Sequence, residues 1–269
     1  MIIQEWLRNA SDELADAMFT SSRLDAEIIL AHTISRPRTW LHAHSNDTLE
    51  PRHIEVANAR LDLRLDHVPV AYIIGHKDFY GRRFQVNTNT LIPRPESEQV
   101  VELLLEALPE DDDRRLVDVG TGSGCLAITA KLERPKLNVI GCDTSRQALD
   151  IAEINAAALN ADIQFIESDL LGNYPFNPDI ILANLPYVDP KWERSTETNH
   201  EPAEALFADD KGLRLINKLI QQATSRQETH GIIILEADPR QWHDIDSFIS
   251  KNGYKCIARR DFAHSYIKT

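Results

Sequence analysis

The sequence predicts an α/β protein: a mostly parallel β-sheet covered by helices, finished by an antiparallel hairpin and preceded by a small helical domain. Three observations predict it. Apolar residues recur at helical spacing through roughly the first 75 residues. From Pro93 onward, short runs rich in Val and Ile alternate with helix-patterned stretches, the texture of a parallel sheet buried on both faces. The last two strand-like runs, "YKCIARR" and "HSYIKT", have no long helix between them and should pair antiparallel.

The elements follow in order. "MIIQEWLRNASDELAD" carries acids early and reads as an amphipathic helix, not a signal peptide. "SSRLDAEIILAHTISRP" opens with Ser22 and Asp25 in a capping pattern, places Leu24, Ile28 and Ala31 on one face, and ends at Pro37. Pro51 opens a helix in which Ile54, Ala57, Leu61 and Leu65 share a face. These elements make a helical domain over 1–75, expected to recognise the substrate. "AYIIGHKDFYGRRFQVNTNTLIP" turns to β-branched and aromatic residues broken by Gly75 and Gly81, and predicts a hairpin connection over 76–92. The α/β domain fills 93–269. It starts with a helix near 96–108 and a solvated acidic loop, "PEDDDRR". Strand "RLVDVG", helix "CLAITAKLE", strand "LNVIGCD", helix "SRQALDIAEINAAAL" and strands "IQFIES", "PDIILAN" and "GIIILEA" come next. The segment 189–211 reads as a long loop that shapes a site.

Composition narrows the function. The chain has 269 residues, 42% of them hydrophobic, enough for one large core or two smaller ones. No apolar run approaches 18 residues, so no membrane span is expected. Cys125, Cys142 and Cys256 are odd in number and scattered, which suits a reducing cytoplasm and argues against a disulfide frame. The histidines show no ligand spacing, and no metal is expected. A net charge of −13 opposes phosphate backbones, so no direct nucleic-acid ligand is expected, whereas a basic protein partner is easily accommodated. A monomer is expected.

"DVGTGSG" joins a strand to a helix. Gly120, Gly122 and Gly124 let backbone approach a ligand at the strand's carboxyl end. The third glycine comes one residue too early for a dinucleotide fingerprint, and Cys125 stands where that fingerprint wants glycine, so nicotinamide and flavin cofactors are disfavoured. The loop has no lysine, which excludes a P-loop triphosphate site. Asp143 ends the next strand, 19 residues after Gly124, where a carboxylate can accept both hydrogen bonds of a ribose diol. Asp169, after the third strand, is placed to meet an adenine amino group. Asp118, one strand step before the loop, either contacts the amino group of a methionine moiety or braces the loop. A parallel sheet finished by a hairpin, with such a loop, is the layout of the Rossmann-like methyltransferase sheet; this step is fold analogy.

The fourth strand runs into Asn184-Leu185-Pro186-Tyr187 beside that cleft. An amide or aryl-amine nitrogen is a poor nucleophile because its lone pair is delocalised. Two acceptors on its two hydrogens would orient it and favour developing positive charge. The Asn184 side-chain oxygen and the Leu185 carbonyl can be those two. Pro186 restricts Leu185 to extended backbone and so fixes that carbonyl. Tyr187 offers a flat face for a planar group.

The chain resembles the peptide chain release factor glutamine methyltransferase (HemK/PrmC) family along nearly its whole length. The resemblance is carried by "RLDAEIILAH", "VPVAYIIGHKDFYGRRFQV", "LIPRPESEQVVE", "DVGTGSG", "CDTSRQALDIAEINA", "ESDLL", "ANLPYV" and "HEPAEALFADDKGL". It implies S-adenosylmethionine as methyl donor and, as acceptor, the glutamine amide of the Gly-Gly-Gln motif in class 1 release factors. It implies substrate binding by Asn184, Leu185, Pro186 and Tyr187, with Asn184, Pro186 and Tyr187 at the reacting centre. It implies cofactor contacts from Gly120, Thr121, Gly122, Ser123, Gly124, Asp143, Leu170 and Asn184. The family usually has Asn-Pro-Pro-Tyr; here Leu185 replaces the first proline. Ser97 replaces a usual threonine and keeps its hydroxyl.

Adenine dimethylases of ribosomal RNA also use Asn-Leu-Pro-Tyr, so adenine methylation in RNA or DNA is an alternative. The acidic balance and the lack of a basic flanking domain oppose it. Glutamine methylation of a ribosomal protein is a nearer alternative. Phe79 and Tyr80 either wall the acceptor pocket or serve the hairpin core, and Arg94 and Glu201 either anchor local structure or support the pocket.

Overall fold

The computed structural model describes all 269 residues. The chain forms two compact units: residues 1–76 with 195–200, and residues 77–194 with 201–269.

The first unit is helical: α1 (Ile3–Asp16), α2 (Ser22–Thr33), α3 (Arg38–Ala43), α4 (Pro51–Leu65) and α5 (Val70–Ile74). Trp6, Leu7 and Leu14 of α1 pack on Ala26, Ile29 and Leu30 of α2. The buried face of α2 therefore differs from the one expected: Ala31 is buried, but Leu24 is exposed. The cause is electrostatic. Asp25 is buried because Arg64 Nε of α4 donates to it at 2.8 Å, and this pairing turns the helix. Arg64 also reaches Glu197 at 2.6 Å and lies over the Phe19 ring at 4.2 Å. Glu197 belongs to the 195–200 segment, so part of the long loop read from sequence packs within the helical unit. A buried cation with two carboxylates costs little only while both partners stay in place.

The second unit begins with a hairpin, β1 (His76–Phe79) and β2 (Arg82–Gln85), whose Phe79 and Phe84 rings meet edge to face at 6.1 Å in the core. The main body runs α6 (Glu98–Ala107), β3 (Arg115–Val119), α7 (Cys125–Glu133), β4 (Asn138–Asp143), α8 (Arg146–Ala158), β5 (Gln164–Glu167), β6 (Ile180–Ala183), α9 (Ala203–Leu206), α10 (Arg214–Arg226), β7 (Ile232–Glu236), α11 (Trp242–Lys251), β8 (Tyr254–Arg259) and β9 (Ala263–Lys268). Helices α3, α5, α9, α10 and α11 add to the elements expected from the sequence; α5 occupies part of the stretch read as β-like, and α9 part of the 189–211 segment read as loop. The sheet order is β5-β4-β3-β6-β7-β9-β8. Only β9 runs against its neighbours.

Side chains alternate across the sheet, as the strand period of two demands. Leu116, Ile180, Leu182, Ile232 and Ile234 face a core shared with α6 and α7. Val117, Ile181, Ile233 and Leu235 face the opposite core, filled by Ile216, Leu219 and Ile220 of α10 and Ile245 of α11. Both faces are covered, so the strands are almost uninterrupted apolar runs. Beside the terminal hairpin, Asp246, Cys256 and His264 approach within 4.8 Å. Tyr266 and Arg259 donate to Asp246 at 2.6 and 3.1 Å, and Trp242 stacks on His264 at 3.6 Å, so this cluster is internally bonded.

The chain leaves β3 for β4 and β5 on one side, then returns to place β6 on the other. Open α/β sheets bind ligands at the carboxyl ends of strands where the order reverses. The register Val119↔Ala183 sets Gly120 beside Asn184 at that point.

Candidate cofactor and acceptor site

A cleft opens above β3, β4 and β6, and its walls hold Gly120, Thr121, Gly122 and Ser123 of the glycine loop, Asp143, Asp169, Leu170, Asn184, Leu185 and Pro186; Gly124 lies behind the wall. The loop has left-handed backbone at Gly120, Gly122 and Gly124, with φ of 76°, 55° and 81°. The space around them differs. A Cβ on Gly124 would lie 2.9 Å from Ile128 Cδ1 and 3.1 Å from Ala152 Cβ, so the glycine lets α7 and α8 close together. A Cβ on Gly122 would meet nothing within 4 Å.

Asp118 is buried beneath the loop. Its Oδ2 accepts from Thr121 Oγ1 at 2.7 Å and from Ala127 N at 3.1 Å. This is the bracing role of the two read from sequence. Its Oδ1 is buried and has no partner, as is the Ser123 hydroxyl. Burial, aided by the nearby Asp143 charge, pushes the Asp118 carboxyl up to about 7 against its two hydrogen bonds. Asp143 Oδ2 accepts from Gly122 N at 2.9 Å and Oδ1 from Ser145 N at 2.9 Å, which ties the loop to the cap of α8. Each carboxylate oxygen keeps a second lone pair, so these bonds leave acceptor capacity for a diol. Desolvation raises the Asp143 pKa.

The third-strand turn closes another side. Leu170 is buried with φ of 51°, and the Ser168 hydroxyl donates to its carbonyl at 2.8 Å. Asp169 is exposed, and Lys218 Nζ holds its Oδ2 at 2.5 Å. An adenine amino group would have to share or displace that lysine.

On the acceptor side, Asn184 Nδ2 donates to Ser97 Oγ at 3.0 Å. Leu185 is buried, its Cδ2 at 3.0 Å from the position a Gly120 Cβ would take. Tyr187 does not line the cleft; its hydroxyl donates to Glu236 Oε1 at 3.1 Å. The Tyr187 carbonyl accepts from Gln241 Nε2 at 2.8 Å, and the same amide group bonds the Lys211 carbonyl at 2.8 Å. Gly212 is required here: a Cβ would fall 1.9 Å from the Tyr187 oxygen. The turn after β6 is thus held at its side chain and its backbone.

Glu236 is the residue that sequence reading missed. It closes β7, next to β6, and is 1% exposed. Burial raises its carboxyl to about 7, while the neighbouring Ser97, Tyr187 and Asn184 groups pull it down. Its Oε2 has no partner at hydrogen-bonding geometry. The same carboxylate, with desolvation, holds the Tyr187 phenol well above its ordinary range. The available signal was an acid at the carboxyl end of an apolar parallel strand. Glu201, noted in the sequence, accepts from Ile92 N at 3.1 Å and from the Arg94 guanidinium. It joins the Pro93–Arg94 and Pro202–Ala205 segments, both of which line the cleft. Phe79 and Tyr80 lie in or against the hairpin core, away from the cleft.

Comparisons with known proteins show the family and the fold. Residues 95–239 match the family model for a methyltransferase small domain, and residues 5–75 match the PrmC N-terminal domain. A release factor glutamine methyltransferase of Coxiella burnetii is 35% identical over 97% of this chain and 95% of that protein. One from Staphylococcus aureus is 36% identical over 83% of this chain and 82% of its own length. Among solved structures, a ribosomal protein L11 methylase of Lactobacillus delbrueckii subsp. bulgaricus superposes with a TM-score of 0.50 at 23% identity, over 72% of this chain and 89% of that one. A T. thermophilus 16S rRNA N2 G1207 methyltransferase, in complex with AdoMet and guanosine, gives 0.52 at 15% identity over 72% of this chain and 49% of that one. At these identities the two structures speak for the fold alone.

Proposed function

The chain belongs to the release factor glutamine methyltransferase family, and from that premise we propose that it methylates the side-chain amide of the glutamine in the Gly-Gly-Gln motif of class 1 release factors. The enzyme is an S-adenosylmethionine-dependent methyltransferase. Its residues fit that cofactor: the open space at Gly122 admits it, Asp143 has lone pairs for a ribose diol, and Ser123, in the cleft wall, has a hydroxyl short of a partner. When bound, S-adenosylmethionine supplies a methyl carbon on a sulfonium sulfur, which would keep the electron pair of the broken S–C bond and leave as a neutral thioether.

The observation that carries the acceptor reading is Asn184 on the cleft wall, its Nδ2 engaged by Ser97. An amide whose NH2 is occupied turns its Oδ1 elsewhere. That oxygen accepts one N–H of the incoming glutamine amide, and the Leu185 carbonyl accepts the other. The two acceptors aim the nitrogen lone pair and stabilise the positive charge that grows on it. After the N–C bond forms, one nitrogen proton is acidic enough to leave to water. No strong base is required. The helical unit over 1–76 is proposed as the substrate-recognition domain, with the 76–92 segment as its connection to the methyltransferase domain.

The test is direct. The protein is incubated with labelled S-adenosylmethionine and a purified class 1 release factor, and the product is mapped by peptide mass. Label on the Gly-Gly-Gln glutamine is expected. Label in ribosomal RNA instead would overturn the reading, against which the net charge of −13 already argues.

A further inference from the structure

We propose that Glu236 is a positioning residue for methyl transfer: acting through Ser97, it sets which face of the Asn184 amide meets the acceptor, and it locks Tyr187 beneath the same turn. The proposal rests on the acceptor reading above. Four residues from distant parts of the chain carry it. Asn184 Nδ2 donates to Ser97 Oγ at 3.0 Å, and Tyr187 donates its hydroxyl to Glu236 Oε1 at 3.1 Å. Glu236 is 1% exposed, and its Oε2 is buried with no partner at hydrogen-bonding geometry. The Ser97 hydroxyl and the Asn184 amide lie close enough to act on its charge.

Proton counting then fixes the direction. A serine hydroxyl has one proton. Ser97 accepts from Asn184 and keeps its own proton free to donate to a neighbouring acceptor. An ionised carboxylate can only accept. Glu236 accepts from Tyr187 through Oε1, and its unpartnered Oε2 is the acceptor we assign to the Ser97 proton. With that polarity Ser97 can only accept from the asparagine, which must present Nδ2 to it and Oδ1 to the cleft. An asparagine flipped the other way would offer the acceptor amide a donor in place of an acceptor. A protonated Glu236 could donate back to Ser97, and both orientations of Asn184 would become available.

The groups facing Glu236 are few. Tyr187 and Asn184 come from the turn after β6, Ser97 and Glu96 from the turn before α6, and Cys125 from the start of α7; no lysine, arginine or histidine forms a salt bridge with it. Loss of its charge as pH falls through about 7 is therefore not masked by an ion pair.

Two measurements test this. The first uses the full-length enzyme and a purified release factor. Glu236→Leu should lower kcat by roughly 100-fold, the scale of one preorganised contact, while KM and calorimetric S-adenosylmethionine affinity stay within about twofold. Unchanged cofactor affinity shows that the variant is folded. Glu236→Gln should keep more activity and lack the fall in kcat expected of the wild type below pH 7. The second needs no acceptor. The Asn184 side-chain amide signal in a 1H–15N spectrum, identified by its loss in Asn184→Ala, should shift with a midpoint near pH 7 in the wild type and stay fixed in Glu236→Gln. A kcat for Glu236→Leu within threefold of wild type, or an Asn184 signal whose pH response survives in Glu236→Gln, overturns the proposal. A wild type that leaves the release factor unmodified overturns the acceptor reading instead, and the spectrum still decides the role of Glu236.

Discussion

The cleft stands on two buried carboxylates, and they work differently. Asp118 lies under the glycine loop and Glu236 under the turn after β6. Both are 1% exposed, both are raised to about 7 by burial, and each keeps one oxygen without a partner. Asp118 bonds its own loop, within nine residues of itself, through the Thr121 hydroxyl and the Ala127 N–H. Glu236 takes the Tyr187 hydroxyl, 49 residues away, and lies against Ser97 and Asn184. One acid shapes a backbone cradle; the other, in the role proposed for it, orients side chains that meet a reacting group. Cofactor affinity should therefore answer to the first region and turnover to the second.

The sharpest break in that comparison is Asn184→Ala. It should leave S-adenosylmethionine affinity nearly intact and lower turnover on a release factor by about two to three orders of magnitude, the usual cost of one oriented transition-state contact. Single-turnover kinetics beside calorimetry would read both quantities. Comparable losses in both would merge the two regions into one. Asp143→Ala should do the converse. Removing a carboxylate that ties Gly122 to Ser145 and keeps lone pairs for a diol should weaken cofactor binding by about 1.5–3 kcal/mol. If calorimetry finds the same affinity, Asp143 does not touch the cofactor.

The two regions also differ in how far they could be read from sequence. The glycine loop is local: strand, loop and acid lie within one stretch of the chain, and the Gly120–Gly124 spacing carries the geometry. The sheet is legible for a similar reason, since runs such as "IILA" and "IIILE" are apolar at consecutive positions only when both faces are covered. Glu236 is different. Its partners lie at 97, 184 and 187, and nothing short of the register Ala183↔Leu235 brings them together. The face of α2 fails on the same ground. Counting apolar residues puts Leu24 inside, whereas Asp25 is drawn in by an arginine 39 residues away. Local patterns are visible in one sequence; long-range ionic partners are not.

Asp118 gives a smaller, pH-dependent effect. Unfolded, an aspartate titrates near 3.8; folded, this one titrates near 7. Between those values the native state holds a proton that the unfolded chain has lost, so stability falls as pH rises through the window. The contribution is complete below about 4 and gone above 7. Asp118→Asn cannot titrate and keeps an oxygen for Thr121. Its melting temperature should gain on the wild type by a few degrees between pH 5.5 and 8, at about 2–4 °C per kcal/mol for a domain of this size. A gap that narrows over that range would mean that Asp118 is ionised and paired in the folded protein.

Leu185→Pro should have the smallest effect of all, and it separates backbone from side chain at the acceptor turn. Mechanistically, position 185 is asked only for its carbonyl. Pro186 already confines the residue before it to extended backbone, and proline at 185 would confine Asn184 in the same way. The lost N–H has no assigned role in orienting the amide. What changes is packing: Leu185 is buried in the core beside Gly120, and proline has one carbon fewer, a loss of about 0.8 kcal/mol in stability. Turnover should therefore change by less than about tenfold, equivalent to 1.36 kcal/mol in the barrier. A fall of two orders of magnitude with intact cofactor binding would show that the Leu185 N–H or side chain, and not its carbonyl alone, holds the turn, and the division between a backbone cradle and an aligned acceptor site would need redrawing at this residue.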